Sequence, residues 1–128
     1  MSDVTIEKLP PVGMISLRGD LSSLSPAVEA VTGCALPEMR MSKRTGAATV
    51  LWMSPDELLV VCDHGAARDL AARLTEALAE EFATVCVVSD ARQMFEVRGA
   101  GAERLLQKIM PVDFDRMRPQ EVRRTRMA

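Results

Sequence analysis

The chain has 128 residues, a formal net charge of −2 at pH 7, and 48% hydrophobic residues, which is enough for one core of ordinary size. The lack of a basic excess argues against a nucleic-acid-binding protein, because such proteins need cationic side chains to displace counterions. No apolar run approaches the roughly 18 residues of a membrane span, and no secretory leader pattern is present, so we expect one cytoplasmic domain, residues 1–128, without a membrane partner.

The first third of the chain predicts a strand, a helix and a loop, in that order. Residues 11–17 form a short apolar run between proline and glycine residues, which is typical of a strand. The helix is expected to begin with Ser25 as its N-cap and Pro26 at its first position, and to end at Gly33. Residues 36–48 have no periodicity long enough for an element, so the sequence predicts a mobile loop there.

Residues 49–62 predict a β-hairpin at the middle of the fold. Two bulky, partly β-branched apolar runs flank a Ser-Pro-Asp-Glu turn at residues 54–57, where proline presets the backbone and serine and aspartate can hydrogen-bond it locally. We expect both strands to be largely buried. The substitution Trp52→Ala should therefore cost ~3 kcal/mol or more through the cavity that it leaves.

An amphipathic helix follows the hairpin. Its apolar residues recur at intervals of three and four: Ala67, Leu70, Ala71, Leu74, Leu78 and Phe82. Residues 83–88 then predict a buried strand. The order over residues 1–89 is therefore β-α-β-β-α-β, the ferredoxin-like arrangement in which two helices cover one face of a four-stranded antiparallel sheet.

Residues 90–128 predict an incomplete second unit. Residues 94–98 alternate as a strand does, and the apolar spacing of residues 102–109 predicts a helix that stops before Pro111. Residues 122–127 are expected to form the next strand. The predicted fold class is thus α+β, a ferredoxin-like βαββαβ unit followed by a partial second β-α-β unit, and its open edge should be covered by a partner or a second copy.

The sequence contains no residue set that makes an active site. The single histidine, His64, has no predicted nucleophile and orienting group beside it. Residues 99–104 resemble a dinucleotide fingerprint but carry Arg104 where the third glycine belongs, so they predict a strand-to-helix turn. The three cysteines lie far apart and predict reduced thiols. We therefore expect no catalytic, cofactor-binding or metal-binding residue in this chain.

Two polar segments are candidates for contact with a partner or between the units. Residues 89–92, Ser-Asp-Ala-Arg, fall between two apolar strands, where capping and ion pairing can join the units or side chains can touch a ligand. Residues 116–128 carry five arginines against one acid, Glu121, which predicts a cationic surface that faces solvent or a partner, or that binds phosphate or polyglutamyl groups. The candidate interface residues are Trp52, Asp90, Arg92, Arg123, Arg124 and Arg126.

Five segments of the chain together indicate a family. They are residues 13–20, 50–59, 88–92, 111–114 and 122–126. The most specific are the Trp-x-x-Pro-Asp-Glu hairpin that begins at Trp52 and the Ser-Asp-Ala-Arg junction at residues 89–92. In order and spacing, these segments resemble the gamma subunit of heterotetrameric sarcosine oxidase over nearly the whole chain.

The resemblance implies a fold similar to the folate-binding domain of the aminomethyltransferases, in agreement with successive ferredoxin-like units. It also implies a non-catalytic subunit that docks on the alpha subunit, and through it joins the beta and delta subunits. Such a complex oxidises sarcosine to glycine with tetrahydrofolate as the one-carbon acceptor. Its FAD, FMN, NAD and tetrahydrofolate belong to the other subunits, so no cofactor is expected in this chain.

Two departures from the family pattern leave other functions open. Family members usually carry Lys-Gly-Cys where this chain has Lys108-Ile109-Met110, and they continue through a further strand and helix. One alternative is a stand-alone folate-binding protein of the same fold. Another is a small homo-oligomeric domain without a ligand, in which two copies form a homodimer through residues 122–127.

Overall fold

The computed structural model describes residues 3–126, which form an α+β fold with a five-stranded and a two-stranded sheet. The strands are β1 (Thr5–Lys8), β2 (Gly13–Gly19), β3 (Ser42–Arg44), β4 (Ala48–Ser54), β5 (Glu57–Cys62), β6 (Ala83–Val87) and β7 (Phe95–Arg98). The helices are α1 (Leu21–Thr32), α2 (Ala67–Ala77) and α3 (Ala102–Ile109), and 3-10 turns cover His64–Ala66, Ser89–Ala91 and Phe114–Arg116. None of these helices combines the length and the apolar character that crossing a membrane requires.

The larger sheet has the strand order β3-β4-β5-β2-β6, and every neighbouring pair is antiparallel. Strands β2, β4, β5 and β6, with α1 after β2 and α2 after β5, follow the β-α-β-β-α-β order of a ferredoxin-like unit. The predicted architecture is confirmed, and β3 is an additional strand at the edge beside β4.

The core lies between this sheet and helices α1 and α2. On β2, Ile15 and Leu17 lie on the same face because side chains alternate along a strand, and both are fully buried. Their register partners on β5, Val60 and Leu58, are also fully buried. The helices add the fully buried side chains Leu24, Val28 and Leu74. Burial of each such side chain contributes about 1.5–3 kcal/mol, so this cluster is a large hydrophobic contribution to stability.

Helix α1 begins earlier than the sequence predicted. Asp20, not Ser25, is its N-cap, and the Asp20 carboxylate accepts a hydrogen bond from the Ser22 amide at 3.2 Å. Aspartate satisfies a free amide there and suits the positive end of the helix dipole, so Pro26 lies inside the helix instead of opening it. The predicted end is confirmed, because Gly33 has a φ of 73°, in the left-handed region that favours glycine.

The stretch predicted as a mobile loop contains strand β3. Residues Ser42–Arg44 pair with β4, and the preceding Met41 forms an isolated antiparallel bridge with Glu121. The prediction was wrong because this short basic segment has no apolar alternation. It becomes a strand through the hydrogen bonds that β4 offers, which is a tertiary effect that local propensity does not contain.

Helix α2 is shorter, and strand β6 more exposed, than predicted. Helix α2 ends at Ala77, and Phe82, which has the right spacing for its apolar face, is 100% exposed. Glu80 and Glu81 follow at the helix C-terminus, where the helix dipole disfavours acidic side chains. The sequence predicts a buried strand next, but β6 is an edge strand with most of its side chains exposed.

The smaller sheet pairs the N-terminal strand β1 with β7, with Ile6 opposite Val97. Strand β1 was not predicted, because Thr-Ile-Glu-Lys contains one strongly apolar residue and no clear alternation. Strand β7 and helix α3 are confirmed, and so is the strand-to-helix turn between them. Gly99 is required in that turn, since its φ is 116° and an added Cβ would overlap the Asp3 carbonyl oxygen.

The last strand of the predicted second unit is wrong within the described residues. Residues 122–126 form no strand, and this end of the chain is instead paired at the single bridge of Glu121. Met127, the final residue of the predicted strand, lies outside the described residues. The boundary between units at residues 89 and 90 stays a prediction, and β1 pairs with β7 across it.

Candidate partner interface

An open groove of about 430 Å³ lies beside the hairpin. It is lined by Met39, Arg40, Trp52, Met53, Ser54, Pro55, Val122, Arg123 and Arg124. Three residues that the sequence singled out separately, Trp52, Arg123 and Arg124, therefore meet in one place. We call this surface the Trp52 groove.

Strand β4 places Trp52 in the lining of this groove. The Trp52 amide donates a hydrogen bond to the Met41 carbonyl oxygen at 3.0 Å, and its register partner across the hairpin is Leu58. The register shifts between Trp52 and Ser54, as at a β-bulge, which bends a strand and changes the direction of its side chains. Trp52 is half-buried, unlike Val50 earlier on the same strand, so its replacement by alanine should cost less than a fully buried tryptophan would.

The C-terminal segment contributes residues 122–124 to the lining of the Trp52 groove. The Val122 amide donates to the Arg40 carbonyl oxygen at 2.7 Å, and the Ser42 amide donates to the Gln120 carbonyl oxygen at 2.8 Å. Arg40 and Gln120 have φ values of 60° and 63°, a backbone conformation that residues other than glycine rarely adopt. Residues with such backbone strain are often found at functional sites. The strain at Arg40 and Gln120 therefore also indicates that the groove is a functional site.

A buried carboxylate, Glu57, holds two arginines at the edge of the groove. Its side chain is only 4% exposed, and its Oε1 lies 3.3 Å from Arg18 Nη2 and 3.3 Å from Arg124 Nη1. Ser16 Oγ donates to the other carboxylate oxygen at 3.4 Å. Glu57 therefore fixes the C-terminal segment to strands β2 and β5 through charge-assisted contacts.

A second buried carboxylate, Glu121, holds another pair of arginines. Its side chain is also 4% exposed, and it contacts Arg123 Nε at 2.7 Å and Arg118 Nε at 3.3 Å. Burial by itself raises the pKa of the Glu121 carboxyl, but the hydrogen bonds from Arg123 and Arg118 outweigh this effect and lower the pKa below its ordinary value. Glu121 therefore remains an anion that orients Arg123 at the groove.

A second groove, of about 310 Å³, adjoins the first. It is lined by Pro111, Val112, Asp113, Arg116, Arg123, Arg124 and Thr125. Because both grooves share Arg123 and Arg124 in their lining, they form one continuous surface that contains these two arginines. Guanidinium groups bind carboxylates and phosphates in a planar, two-pronged geometry, so this surface suits an anionic ligand.

The other predicted interface residues lie elsewhere. Asp90 and Arg92 line a cavity of about 120 Å³ near Met14, and neither forms an ion pair within residues 3–126. The 3-10 turn there is instead held by Ser89, whose Oγ accepts a hydrogen bond from the Met14 amide at 2.9 Å. The Arg126 side chain is exposed and does not line either groove.

Sequence reasoning missed Glu57, Glu121 and Arg40 as site residues. The signal for Glu57 was an acid directly before an apolar run, which is also typical of an ordinary turn residue. Glu121 was noted only as the lone acid among arginines, whereas a lone acid in such a cluster is a natural ion-pair centre. Arg40 gives no local signal, because its position depends on the distant bridge to residues 120–122.

The remaining reactive side chains are not clustered. Among residues 3–126, no group of three or more His, Cys, Asp or Glu side chains is arranged to hold a metal ion. Burial raises the pKa of the Cys34 thiol, and burial together with the Asp63 charge raises the pKa of the Cys62 thiol. These two thiols are therefore neutral near pH 7, and Cys86 is exposed on the edge strand β6.

Residues 18–120 match the family described as Sarcosine oxidase, gamma subunit family. The chain belongs to this family. The matched range contains the hairpin and the Ser-Asp-Ala-Arg junction, so the resemblance found in the sequence is confirmed. Residues 122–126 lie beyond the match, which leaves the part of the groove formed by Val122, Arg123 and Arg124 outside the shared range.

One curated protein and one solved structure are similar to this chain over most of its length. The curated sarcosine oxidase subunit gamma of Corynebacterium sp. (strain P-1) is 34% identical over 97 residues, which cover 74% of this chain and 45% of that protein. The solved heterotetrameric sarcosine oxidase from Corynebacterium sp. U-96, in complex with pyrrole 2-carboxylate, superposes with a TM-score of 0.76 and 28% identity, and covers 86% of this chain and 57% of that chain. This chain thus spans about half the length of these relatives.

The fold of this chain is also similar to that of a solved aminomethyltransferase. The aminomethyltransferase T of the glycine cleavage system from Bartonella henselae superposes with a TM-score of 0.71 over 94% of this chain and 35% of that chain, at 11% identity. At this identity the match shows the fold alone. The predicted similarity to an aminomethyltransferase fold is confirmed.

Proposed function

We propose that this chain is a non-catalytic gamma subunit that supports the assembly of a sarcosine-oxidase-type complex. The observation that carries the proposal is the superposition on the heterotetrameric sarcosine oxidase, at 28% identity over 86% of this chain. The family match over residues 18–120 supports it independently of the structure. Its partners would be the alpha subunit and, through it, the beta and delta subunits, in the cytoplasm.

The chemistry of the proposed complex resides in the other subunits. They would bind FAD, FMN, NAD and tetrahydrofolate and would oxidise sarcosine to glycine, with tetrahydrofolate accepting the one-carbon unit. The buried carboxylates of this chain, Glu57 and Glu121, are each engaged by two arginines, which suits a recognition role better than proton transfer. The contribution of this chain would be to stabilise the assembled complex.

The proposal is tested by co-expression with the large flavin-binding subunits of the same organism. We expect the tagged chain to copurify with a yellow, flavin-containing complex, and we expect its omission to lower the yield or thermal stability of that complex. A tagged small α+β domain of unrelated sequence serves as the control for non-specific capture. Recovery of a complete, equally stable and active complex without the chain would contradict the proposal.

A second candidate is a stand-alone folate-binding protein. The fold shared with the aminomethyltransferase over 94% of this chain favours it. Trp52 is the single tryptophan and lines the groove, so its fluorescence reports directly on this surface. Saturable quenching by a reduced folate would favour this second candidate, whereas an unchanged spectrum would favour the assembly role. The homodimer stays a prediction, and light scattering on the purified chain would test it.

A further inference from the structure

We propose that the Trp52 groove and the adjoining groove dock an acidic segment of a partner subunit, in which carboxylates alternate with bulky apolar side chains. This inference rests on the assembly role proposed above and specifies where, and through what chemistry, the partner binds. The occupant is a peptide segment of a larger chain. A second copy of this chain is the rejected alternative, since two cationic surfaces of the same sequence would repel each other.

The charge of the surface is the first argument. Glu57 is shared by Arg18 and Arg124, and Glu121 is shared by Arg118 and Arg123, so each buried carboxylate leaves one positive charge in excess. Arg40 adds a further charge, because its side chain makes no hydrogen bond or ion pair within the described part of the chain. A surface with this excess on a protein of net charge −2 calls for an anionic partner.

Preorganisation of the arginines is the second argument. The two anchoring carboxylates are each 4% exposed, whereas the two groove-lining arginines that they hold, Arg124 and Arg123, are 54% and 38% exposed. The carboxylates therefore fix both arginines through ion pairs and leave part of each side chain open to solvent. An arginine already held in place loses less side-chain entropy when it binds a carboxylate of a partner.

The apolar residues that line the groove are the third argument, and they favour a peptide over a simple anion. Trp52 is half-buried, Val122 is half-buried, and Met39 is 63% exposed at the entrance of the groove. Tryptophan and arginine are the residue types most enriched in the energetic centres of protein interfaces, and methionine adapts its shape to a partner side chain. A volume of about 430 Å³ accommodates one or two bulky side chains. A small inorganic ion would leave the apolar lining of the groove without contacts.

Free main-chain groups are the fourth argument. The Val122 amide is bonded to Arg40, but from Arg123 to Arg126 no backbone group pairs with another backbone group of residues 3–126. One main-chain acceptor there is used locally, because Thr125 Oγ1 donates to the Arg126 carbonyl oxygen at 3.4 Å. The main-chain groups beside the groove that have no such partner can accept an added strand, and side-chain pockets then supply the specificity. A partner strand along this segment would bring alternate carboxylates to the arginines and alternate apolar side chains to the Trp52 groove.

The first test uses a double variant that keeps the buried ion pairs intact. Arg40→Asn removes a cation at a backbone conformation that asparagine tolerates well. Arg116→Gln removes a cation that is 88% exposed and whose ion pair with Asp113 of the second groove, at 3.4 Å, is also exposed. Arg73→Gln on the exposed face of α2 is the matched control. The double variant should bind the complex that lacks this chain about tenfold more weakly than wild type at low salt, and the difference should shrink as salt screens the charges. The control should bind like wild type.

The second test identifies the occupant directly. A photoreactive p-benzoylphenylalanine replaces Met39 at the groove entrance, and a control chain carries it in place of the fully exposed Phe82. After illumination of the assembled complex, mass spectrometry should find the Met39 position joined to a segment of a larger subunit that alternates Asp or Glu with apolar residues. A cross-link to a neutral or basic segment, or to a second copy of this chain, would overturn the proposal.

The outcomes separate this inference from the proposed function. If wild type fails to join the complex at all, the assembly role itself is wrong. If wild type joins and the double variant binds equally well, the assembly role stands and the groove proposal alone is wrong. Weaker binding of the double variant, together with an acidic cross-linked segment, supports both.

Discussion

The two sheets of this protein differ in how completely their apolar side chains are buried. In the five-stranded sheet, Ile15 and Leu17 are fully buried between the strands and helices α1 and α2. In the two-stranded sheet, Ile6 is 60% exposed and Phe95 is 56% exposed. A two-stranded sheet is marginal in water without further strands or a helix on its apolar face, so the two regions should open at different free energies.

The polar contacts of the small sheet do not remove this difference. Arg98 Nη2 lies 3.2 Å from Glu7 Oε2 and 2.9 Å from Glu96 Oε1, but all three side chains are about half exposed or more. Exposed ion pairs contribute roughly 0–1 kcal/mol because water and salt screen them. We therefore infer that the ferredoxin-like sheet contributes most of the stability of the fold, whereas the β1–β7 sheet depends on the rest of the molecule.

The largest effect should come from the core of the five-stranded sheet. We expect Leu17→Ala to lower the free energy of unfolding by about 3–4 kcal/mol, because it leaves a cavity at a site with no exposure. In the small sheet, Val97→Ala removes one carbon atom fewer and should cost less than about 1 kcal/mol, since Val97 is half-buried. Urea titration followed by circular dichroism measures both values. Similar losses for the two variants would mean that the sheets are equally important.

An intermediate effect should come from the turn after β7. Gly99→Ala places a methyl group against the Asp3 carbonyl at a φ of 116°, so the N-terminal strand must move. We expect a local cost of about 1–3 kcal/mol, seen as faster amide exchange of β1 and β7 with little change in β2 and β5. Gly46→Ala is the control, since a Cβ at Gly46 meets no atom within 4 Å. Unchanged exchange in β1 would show that the glycine is not needed.

The smallest effect should be a pH dependence of the C-terminal contact. The folded pKa of Glu121 lies below its ordinary value of 4.5, so its ion pairs contribute fully above that pH and are lost as the pH falls through the lowered pKa. The amide signals of Ser42 and Val122 in an NMR titration should therefore change only on the acid side of pH 4.5, whereas Glu121→Gln should abolish this transition. A transition of the same size in the variant would assign the effect to another carboxyl group.

Local patterns were enough to predict the hairpin, α3 and the ferredoxin-like order, because turn residues and apolar periodicity act within a few residues. The same reasoning failed for β1 and β3, whose strands exist through distant partners, and for the end of α2, where Phe82 matched the spacing but Glu80 and Glu81 did not suit a helix C-terminus.

The sequence predicted individual residues of the candidate site but not that they lie together in one groove. Trp52, Arg123 and Arg124 were singled out for family likeness and charge, and the structure brings them into one groove. Asp90 and Arg92 were chosen on the same grounds but lie at another cavity. The difference arises because the groove depends on the buried ion pairs of Glu57 and Glu121, and sequence gives no sign of which acids become buried.

The contact between Ser42 and Gln120 has a consequence for the order of events during folding. It joins residues 78 positions apart, whereas the hairpin beside it closes through a short turn. Closing a long loop costs more chain entropy, so the hairpin and its helices should form first and the C-terminal segment should attach late. A newly made chain would then acquire its core before its arginine-lined groove, and only a molecule that has finished folding would present that groove to a partner.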